Sequence, residues 1–478
     1  METKEVVREI PSKATNFSDW YTAVVLKAEL ADYAPMRGMT VFRPYGYAIW
    51  ELMQSALDRR FKATGHANAY FPLFIPRSFL EREAEHVEGF APEVAWVTHG
   101  GKEELSEWLA VRPTSEAIIG HMYAKWVQSY RDLPILINQW NSVVRWEKST
   151  RFFLRTMEFL WQEGHTAHRT AEEAEEETWR MLGVYEDFVT KELAVPVLAG
   201  RKPDSEKFAG AIYSLTIEAM MPDGQALQSG TSHFFGTNFA RAFDIQFLDA
   251  DNTRKYASTT SWGLSWRALG ATIMTHGDDR GLFLPPRIAP IQVVIVPIRS
   301  EQEPLVREAA RSLAASLGER LRVKVDEREE YTPGWKFSEW EMRGVPLRIE
   351  LGPKDLRQNQ VVLVARDGEA GKRQVPLDGV SEAVASELDA IQERMYERAK
   401  VALESHTLRA GVFDEAVELI GQRRGFVRVL WCRNQACEDR LREATGGSPR
   451  VITDEQVDGP CAVCGRPALC PAYFARAY

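Results

Sequence analysis

Arg145-Trp146-Glu147, the loop Lys148–Leu154, and Arg155-Thr-Met-Glu-Phe159-Leu-Trp161-Gln-Glu163-Gly-His165 gather unlike functional groups into one short stretch. Side chains of a strand alternate between faces, so Arg145 and Glu147 share one face of a first strand. Arg155, Phe159, Trp161, Glu163 and His165 share one face of a second. Paired as a hairpin, the two strands line one surface with cations, carboxylates and large aromatics. That set suits an adenine nucleotide: an aromatic stacks on the base, a carboxylate accepts from its amino group, and arginines hold phosphates through two parallel hydrogen bonds. A half-exposed sheet with solvated charges shows the same alternation, but not this concentration of different functional types.

A second constellation lies in the last tenth of the chain, which holds all five cysteines. Cys432 and Cys437 have four residues between them, and Cys461 and Cys464 have two. Two thiolate pairs at this spacing suit one tetrahedral structural Zn²⁺, and no histidine after His406 offers a substitute ligand. A closed four-thiolate site leaves no coordination position for catalysis. Cys470 is a fifth thiol, able to stand in for Cys432 or Cys437. The N-terminus lacks a basic and apolar leader and no long apolar run occurs, so export, membrane insertion and a disulfide framework are not expected.

The 478 residues are too many for one core, and a composition 45% hydrophobic and 27% charged, with mean hydropathy -0.31, is that of a soluble globular protein. The net charge of -9 argues against general adhesion to nucleic acid. Residues 1–286 carry 30 Lys+Arg against 38 Asp+Glu and residues 287–478 carry 29 against 30, so an RNA partner would meet the C-terminal part. The clearest boundary is Gly281–Pro290, where three prolines precede the β-like run Ile291–Ile298. Beyond it, strand-like runs at 291–298, 321–326, 345–351 and 360–365 alternate with helix-like segments at 301–317, 333–343 and 380–402. This order predicts a small α/β domain with a mixed or parallel sheet over 287–403, followed by the cysteine-bearing unit 404–478. Residues 1–286 read as an antiparallel sheet with helices around it, one of them over 171–193 with a Thr170/Glu173 capping box.

Arg-x-Glu, a loop and Arg-x-x-x-Phe resemble motif two of the class II aminoacyl-tRNA synthetases, and Phe159–His165 resembles the prolyl branch. Arg37–Pro76 resembles motif one, the dimer-forming region of that family, and Ser261–Arg267 motif three. The strings Arg112–Glu116, Gly230–His233 and Gly277–Gly281 carry the same resemblance across the chain. It implies a three-part enzyme: an α+β class II catalytic domain (1–286), an α/β anticodon-binding domain (287–403) and a small α/β zinc-binding domain (404–478). Such an enzyme is a cytoplasmic homodimer with partners proline, ATP with Mg²⁺ and tRNA, and neither a membrane nor DNA.

The resemblance places ATP on Arg145, Glu147, Arg155, Phe159, Gln228, Thr231, Ser265 and Arg267, with the three arginines stabilising charge on the phosphates. Arg267 also falls near the start of a predicted helix, a favourable place for an anion. Proline would meet Thr114, Glu116, Arg145 and His233, with Phe90, Trp161, Glu163 and Phe208 as walls. Glu341, Arg348 and Lys354 would read anticodon bases, whose exposed edges suit carboxylates and cations. The family's tail uses two thiolate pairs, leaving Cys470 a bystander, and its chain end, here Ala477-Tyr478, folds back towards the active site. Two rivals are a non-catalytic tRNA-binding relative and a synthetase for another small amino acid, such as threonine or alanine. The complete nucleotide set speaks against the first. The prolyl-type strings and the absence of an open catalytic metal site speak against the second. The 63 residues between Gly164 and Gln228 leave no room for an inserted editing domain.

Overall fold

A computed structural model describes residues 10–86, 93–369 and 371–478. Along the chain the elements that matter here are α1 (Pro44–Ala63), β1 (Ala67–Asn68), β2 (Ile135–Val144), β3 (Glu158–His168), α2 (Ala171–Lys191), β4 (Val197–Arg201), β5 (Tyr213–Met220), β6 (Ala226–Gly236), β7 (Ser258–Ser265) and α3 (Arg267–His276). Then follow β8 (Val293–Pro297), α4 (Pro304–Gly318), β9 (Val323–Val325), α5 (Pro333–Met342), β10 (Leu347–Leu351), β11 (Gln360–Ala365), β12 (Lys372–Pro376) and α6 (Val380–Ser405). The last group is β13 (Thr407–Arg409), β14 (Phe426–Trp431), α7 (Gln435–Thr445), β15 (Ser448–Ile452) and β16 (Cys470–Ala475).

The largest sheet has eleven strands in the order β13-β14-β16-β15-β4-β5-β6-β7-β3-β2-β1. The pairings from β4 to β2 are all antiparallel, as the alternating polarity of residues 1–286 requires. Even-numbered residues of β3 face α2, where Gln162 donates to the Tyr185 hydroxyl. Odd-numbered ones face the opposite side. Gly164 has to be glycine: a Cβ there would lie 2.1 Å from the Trp262 ring, which packs over it into the core formed with Phe61, Tyr185 and Phe188. The predicted capping box starts α2, with Glu173 N–H donating to Thr170 Oγ1 at 3.2 Å and Thr170 N–H to Glu173 at 3.3 Å.

Beyond a short 3-10 turn at Pro286–Ile288, a five-stranded sheet runs β9-β8-β10-β11-β12. β8 pairs parallel with β9 and β10, and the last two pairings are antiparallel, so the sheet is mixed. Its buried Val, Ile and Leu residues pack under α4 and α6. The final strands do not form a sheet of their own. β15 meets β4 at the pair Ile452↔Arg201 and thereby joins the cysteine-bearing unit to the large sheet.

Candidate active site

On the odd-numbered face of β3 the sheet opens into a cleft with a cavity of about 200 Å³. Phe159, Trp161, Glu163 and His165 of β3 line it in register, facing Thr231 and His233 of β6 and Ser265 of β7. The predicted hairpin exists, since β2 and β3 pair antiparallel from Ile135↔Ala167 to Val144↔Glu158. Its ends differ from expectation. β2 stops at Val144, so Arg145 and Glu147 stand beyond the strand, and β3 begins at Glu158, leaving Arg155 in the loop bridged to Arg151. Arg145 still reaches the cleft, because its N–H donates to Met157 O at 2.8 Å and carries the pairing one step further. Glu147 and Arg155 do not line it. They pair with each other at 2.9 Å, opposite charges at a solvated rim satisfying one another. Phe90 lies outside the described residues.

The inner end of the cleft is anionic. Glu163 is buried and accepts from Ser115 N–H (3.0 Å), Ser115 Oγ (2.5 Å), Asn141 Nδ2 (2.6 Å) and Gln139 Nε2 (3.1 Å), with His165 Nε2 at 3.1 Å. Burial opposes its ionisation, yet these donors and the imidazole charge prevail and hold its carboxyl well below the usual range. Burial also opposes the charged form of His165, but Glu163 and Glu116 outweigh it and move the imidazole upward. Thr114 Oγ1 donates to Glu116 and lies 3.4 Å from Glu163. Ligand atoms of Glu116, Glu163 and His165 stand within 4.8 Å of one another. Arg145 faces this group, with its Nε donating to Pro113 O at 3.0 Å and its guanidinium 5.2 and 5.4 Å from the Phe159 and Trp161 ring centres. His233 bonds Ser214 Oγ through Nδ1 at 2.7 Å and packs on Phe208. Burial, with Lys202 and His165 nearby, pushes it down to about 3, so it is neutral at neutral pH.

The outer end is cationic and under-neutralised. Arg267 opens α3, whose dipole favours an anion at this end; its N–H donates to Ser265 Oγ at 3.2 Å and its Nε to Leu154 O at 3.0 Å. Burial first, then the charge of Arg145, brings it down to about 10. Lys202, just past β4, donates to Gln228 Oε1 at 2.6 Å and is lowered mainly by burial. Lys202, Arg267 and Arg450 outnumber the carboxylates beside them, Glu218 and Glu206, and phosphate supplies further negative charge. Lys202 and Glu206 are wall residues that sequence reasoning missed. Only the β4–β5–β6 register brings them to Gln228, and no local pattern announces it.

Of Glu341, Arg348 and Lys354, only Arg348 stands on the mixed sheet; Glu341 is on α5 and Lys354 is in the short helix Pro353–Arg357. Arg348 of β10 is held by Glu341 (3.2 Å) and Glu350 (3.1 Å) with its guanidinium 4.0 Å from the Phe337 ring centre, while Lys354 is exposed. In the terminal unit the Sγ atoms of Cys432, Cys437, Cys461 and Cys464 lie within 4.8 Å of one another, with two separations of 3.6 and 3.7 Å. A tetrahedron of sulfurs about 2.3 Å from zinc has edges of about 3.8 Å, so the set fits that ion. Cys470 lies apart, bonded to Arg433 Nε at 3.2 Å. Tyr478 returns to the catalytic core: its N–H donates to Ala226 O (3.2 Å), its hydroxyl to Asp223 (2.7 Å), and its ring lies 5.5 Å from the Arg151 guanidinium.

Comparison with known proteins agrees with this geometry. The family "tRNA synthetase class II core domain (G, H, P, S and T)" matches residues 96–276, "Anticodon binding domain" 292–387 and "Prolyl-tRNA synthetase, C-terminal" 413–478. A proline–tRNA ligase of Natranaerobius thermophilus is 56% identical over 99% of both chains, and one of Chloroflexus aurantiacus is 54% identical over 99% of this chain and all of the relative. The crystal structure of a prolyl-tRNA synthetase from Cryptosporidium parvum, complexed with halofuginone and AMPPNP, superposes with a TM-score of 0.93 at 40% identity, covering 98% of this chain and 100% of that one. With a class II core, an anticodon-binding domain and a prolyl-type C-terminus in one chain, and relatives alike over its full length, the chain belongs to the prolyl-tRNA synthetases of class II.

Proposed function

We propose that the cleft takes L-proline at its inner end and ATP at its outer end, and that the enzyme ligates proline to its tRNA through an enzyme-bound adenylate. The observation that carries this reading is the polarity of one cleft. Buried carboxylates face Arg145 at one end, and under-neutralised cations stand at the other. The secondary ammonium of proline donates to Glu116, Thr114 and Glu163, its carboxylate meets Arg145, and Trp161, His233 and Phe208 wall the ring. Phe159 stacks on adenine, and Gln228, Thr231 and Ser265 contact the nucleotide. Arg267 holds the phosphates. Arg155 and Glu147 exchange their mutual ion pair for phosphate and adenine amino group when ATP arrives.

A proline carboxylate oxygen then attacks the α-phosphorus, the bond to the β-phosphate oxygen breaks, and pyrophosphate leaves. Little covalent work falls to the protein; alignment and charge stabilisation by Arg145, Arg267 and Arg155 drive the step. Mg²⁺ enters with ATP and neutralises phosphate charge. In the second step the terminal ribose hydroxyl of tRNA attacks the adenylate carbonyl and AMP leaves.

Glu341, Arg348 and Lys354 offer a carboxylate and two cations to anticodon bases, beside Phe337 on which a base can stack. The four-cysteine set holds one Zn²⁺ that fastens the terminal unit, with no step passing through it. Two copies pair through the motif-one face, where Tyr70, Phe74, Trp96 and Trp108 stand exposed on one chain. A tRNA-charging dimer of this kind acts in the cytoplasm. Pyrophosphate exchange with each of the twenty amino acids tests the central reading: proline should give the highest rate, and exchange with another amino acid but not with proline would refute it.

A further inference from the structure

Beneath the nucleotide end of the cleft lies a charged cluster built from two distant parts of the chain. Glu218 of β5 is fully buried. Arg450, carried by β15 of the cysteine-bearing unit, grips both its carboxylate oxygens, with Nη2 at 3.1 and 3.3 Å and Nε at 3.3 Å. The other arm of the same guanidinium donates to Glu206 at 2.8 Å. A second link ties the same loop to the terminal unit, since Ser205 Oγ donates to Glu438 at 2.5 Å. Glu206 and Lys202 both line the cleft.

The arrangement of charge is informative. A partly buried lysine near two carboxylates ordinarily takes one of them, because an unpaired buried charge is costly. Lys202 takes neither. Its ammonium donates to the neutral amide oxygen of Gln228 and forms no ion pair among the described residues. The planar fork of Arg450 already occupies Glu218 and Glu206, a geometry that an arginine matches and a lysine does not.

We propose that Arg450 is a positioning residue for the nucleotide: by holding Glu218 and Glu206 it keeps the Lys202 ammonium free to meet the phosphates of ATP, so that the terminal unit completes a pocket of the catalytic core. The proposal rests on assigning this end of the cleft to ATP. The fields agree with it, for Glu218 and Glu206 raise the Lys202 pKa while Arg450 lowers it.

The test uses the full-length enzyme in proline-dependent pyrophosphate exchange, with ATP and proline varied separately. Arg450→Met/Glu218→Gln removes the buried pair together and spares the fold an orphaned charge. Lys202 then falls to Glu206, and KM for ATP should rise about tenfold, the loss of one charge-assisted contact, while KM for proline stays within about twofold. Adding Glu206→Gln removes the competitor and should return KM for ATP to within about threefold of the parent, a recovery that a merely structural role would not produce. Near-UV circular dichroism and zinc content confirm the fold of each variant. The proposal is overturned if KM for ATP does not move in the double variant, if both KM values rise together, or if the triple variant shows no recovery. A parent enzyme without proline-dependent exchange would overturn the ATP assignment itself, before any variant is made.

Discussion

Replacing Arg145 by alanine tests the catalytic reading most directly, and its size follows from the geometry. The Nε of Arg145 is committed to Pro113 O at 3.0 Å, which leaves the two terminal amino groups for substrates. In the proposed complex one meets the proline carboxylate and the other an α-phosphate oxygen. Each charge-assisted contact is worth about 1.5–3 kcal/mol, so losing both removes about 3–6 kcal/mol and lowers kcat/KM for adenylate formation by about 10²–10⁴-fold. The Phe159 and Trp161 rings, each of which now faces the guanidinium, also lose their cation. Arg145→Lys keeps the charge but not the fork and should fall between parent and alanine variant. The assay is proline-dependent pyrophosphate exchange, with near-UV circular dichroism to confirm that the fold survives. Exchange within about tenfold of the parent in a folded Arg145→Ala enzyme would refute a contact to both substrates.

Four further outcomes are expected. Metal analysis should find about one zinc per chain, bound through Cys432, Cys437, Cys461 and Cys464, and Cys470→Ser should leave that content unchanged; a metal-free enzyme with full activity would disprove the site. Burial pushes His168 down to about 4 and His233 and His276 to about 3, so each contributes stability that is present above its unfolded pKa of about 6.5 and is lost as pH falls towards 3–4. The slope is about 1.4 kcal/mol per pH unit for each, and His276→Gln, away from the cleft, should flatten the pH dependence of urea unfolding between pH 6 and 4 by that amount; an unchanged slope would contradict a neutral buried imidazole. The span between Gly164 and Gln228 is filled by the end of β3, α2, β4, β5 and the start of β6, and alanine is excluded from a proline pocket by only about 1–3 kcal/mol per missing methylene. The enzyme should therefore form detectable alanyl-tRNA or cysteinyl-tRNA without hydrolysing it, and deacylation of preformed alanyl-tRNA that survives Arg145→Ala would reveal an editing site. Deleting Tyr478 removes the ring beside Arg151 and should slow exchange about threefold with little change in melting temperature; an unaltered rate would make the contact incidental.

What could be read in advance was local. The α2 capping box, the alternation that puts Phe159, Trp161, Glu163 and His165 on one face, and β8, β9, β10, β11, α4, α5 and α6 follow from short-range pattern, whereas β12 and the elements of the terminal unit are not read from it. What could not be read depended on register or on charges meeting across the fold. Glu147 and Arg155 leave the cleft wall because a turn ends β2 two residues before Trp146 and starts β3 three residues after Arg155. Lys202 and Arg450 come together only through the β4–β5–β6 order and the docking of β15, which link residues some 230 to 250 positions apart. Tyr213, which pairs with Glu175 on α2 through its hydroxyl, is likewise invisible to periodicity.

The meeting of β15 with β4 has a colloidal consequence. An open sheet edge is a template on which another chain can pair, and folded proteins keep such edges covered or charged. Along this edge β4 presents Gly200, where any Cβ would sit 2.6 Å from Ile452 O, so the two units meet there only because position 200 has no side chain. The terminal unit thus acts as an edge guard for the catalytic sheet. A chain cut after α6 would keep every cleft residue named above and still expose β4 to strand addition. Its expected fate is self-association rather than mere weakening, and a bulky residue at position 200 would invite the same outcome in the uncut protein.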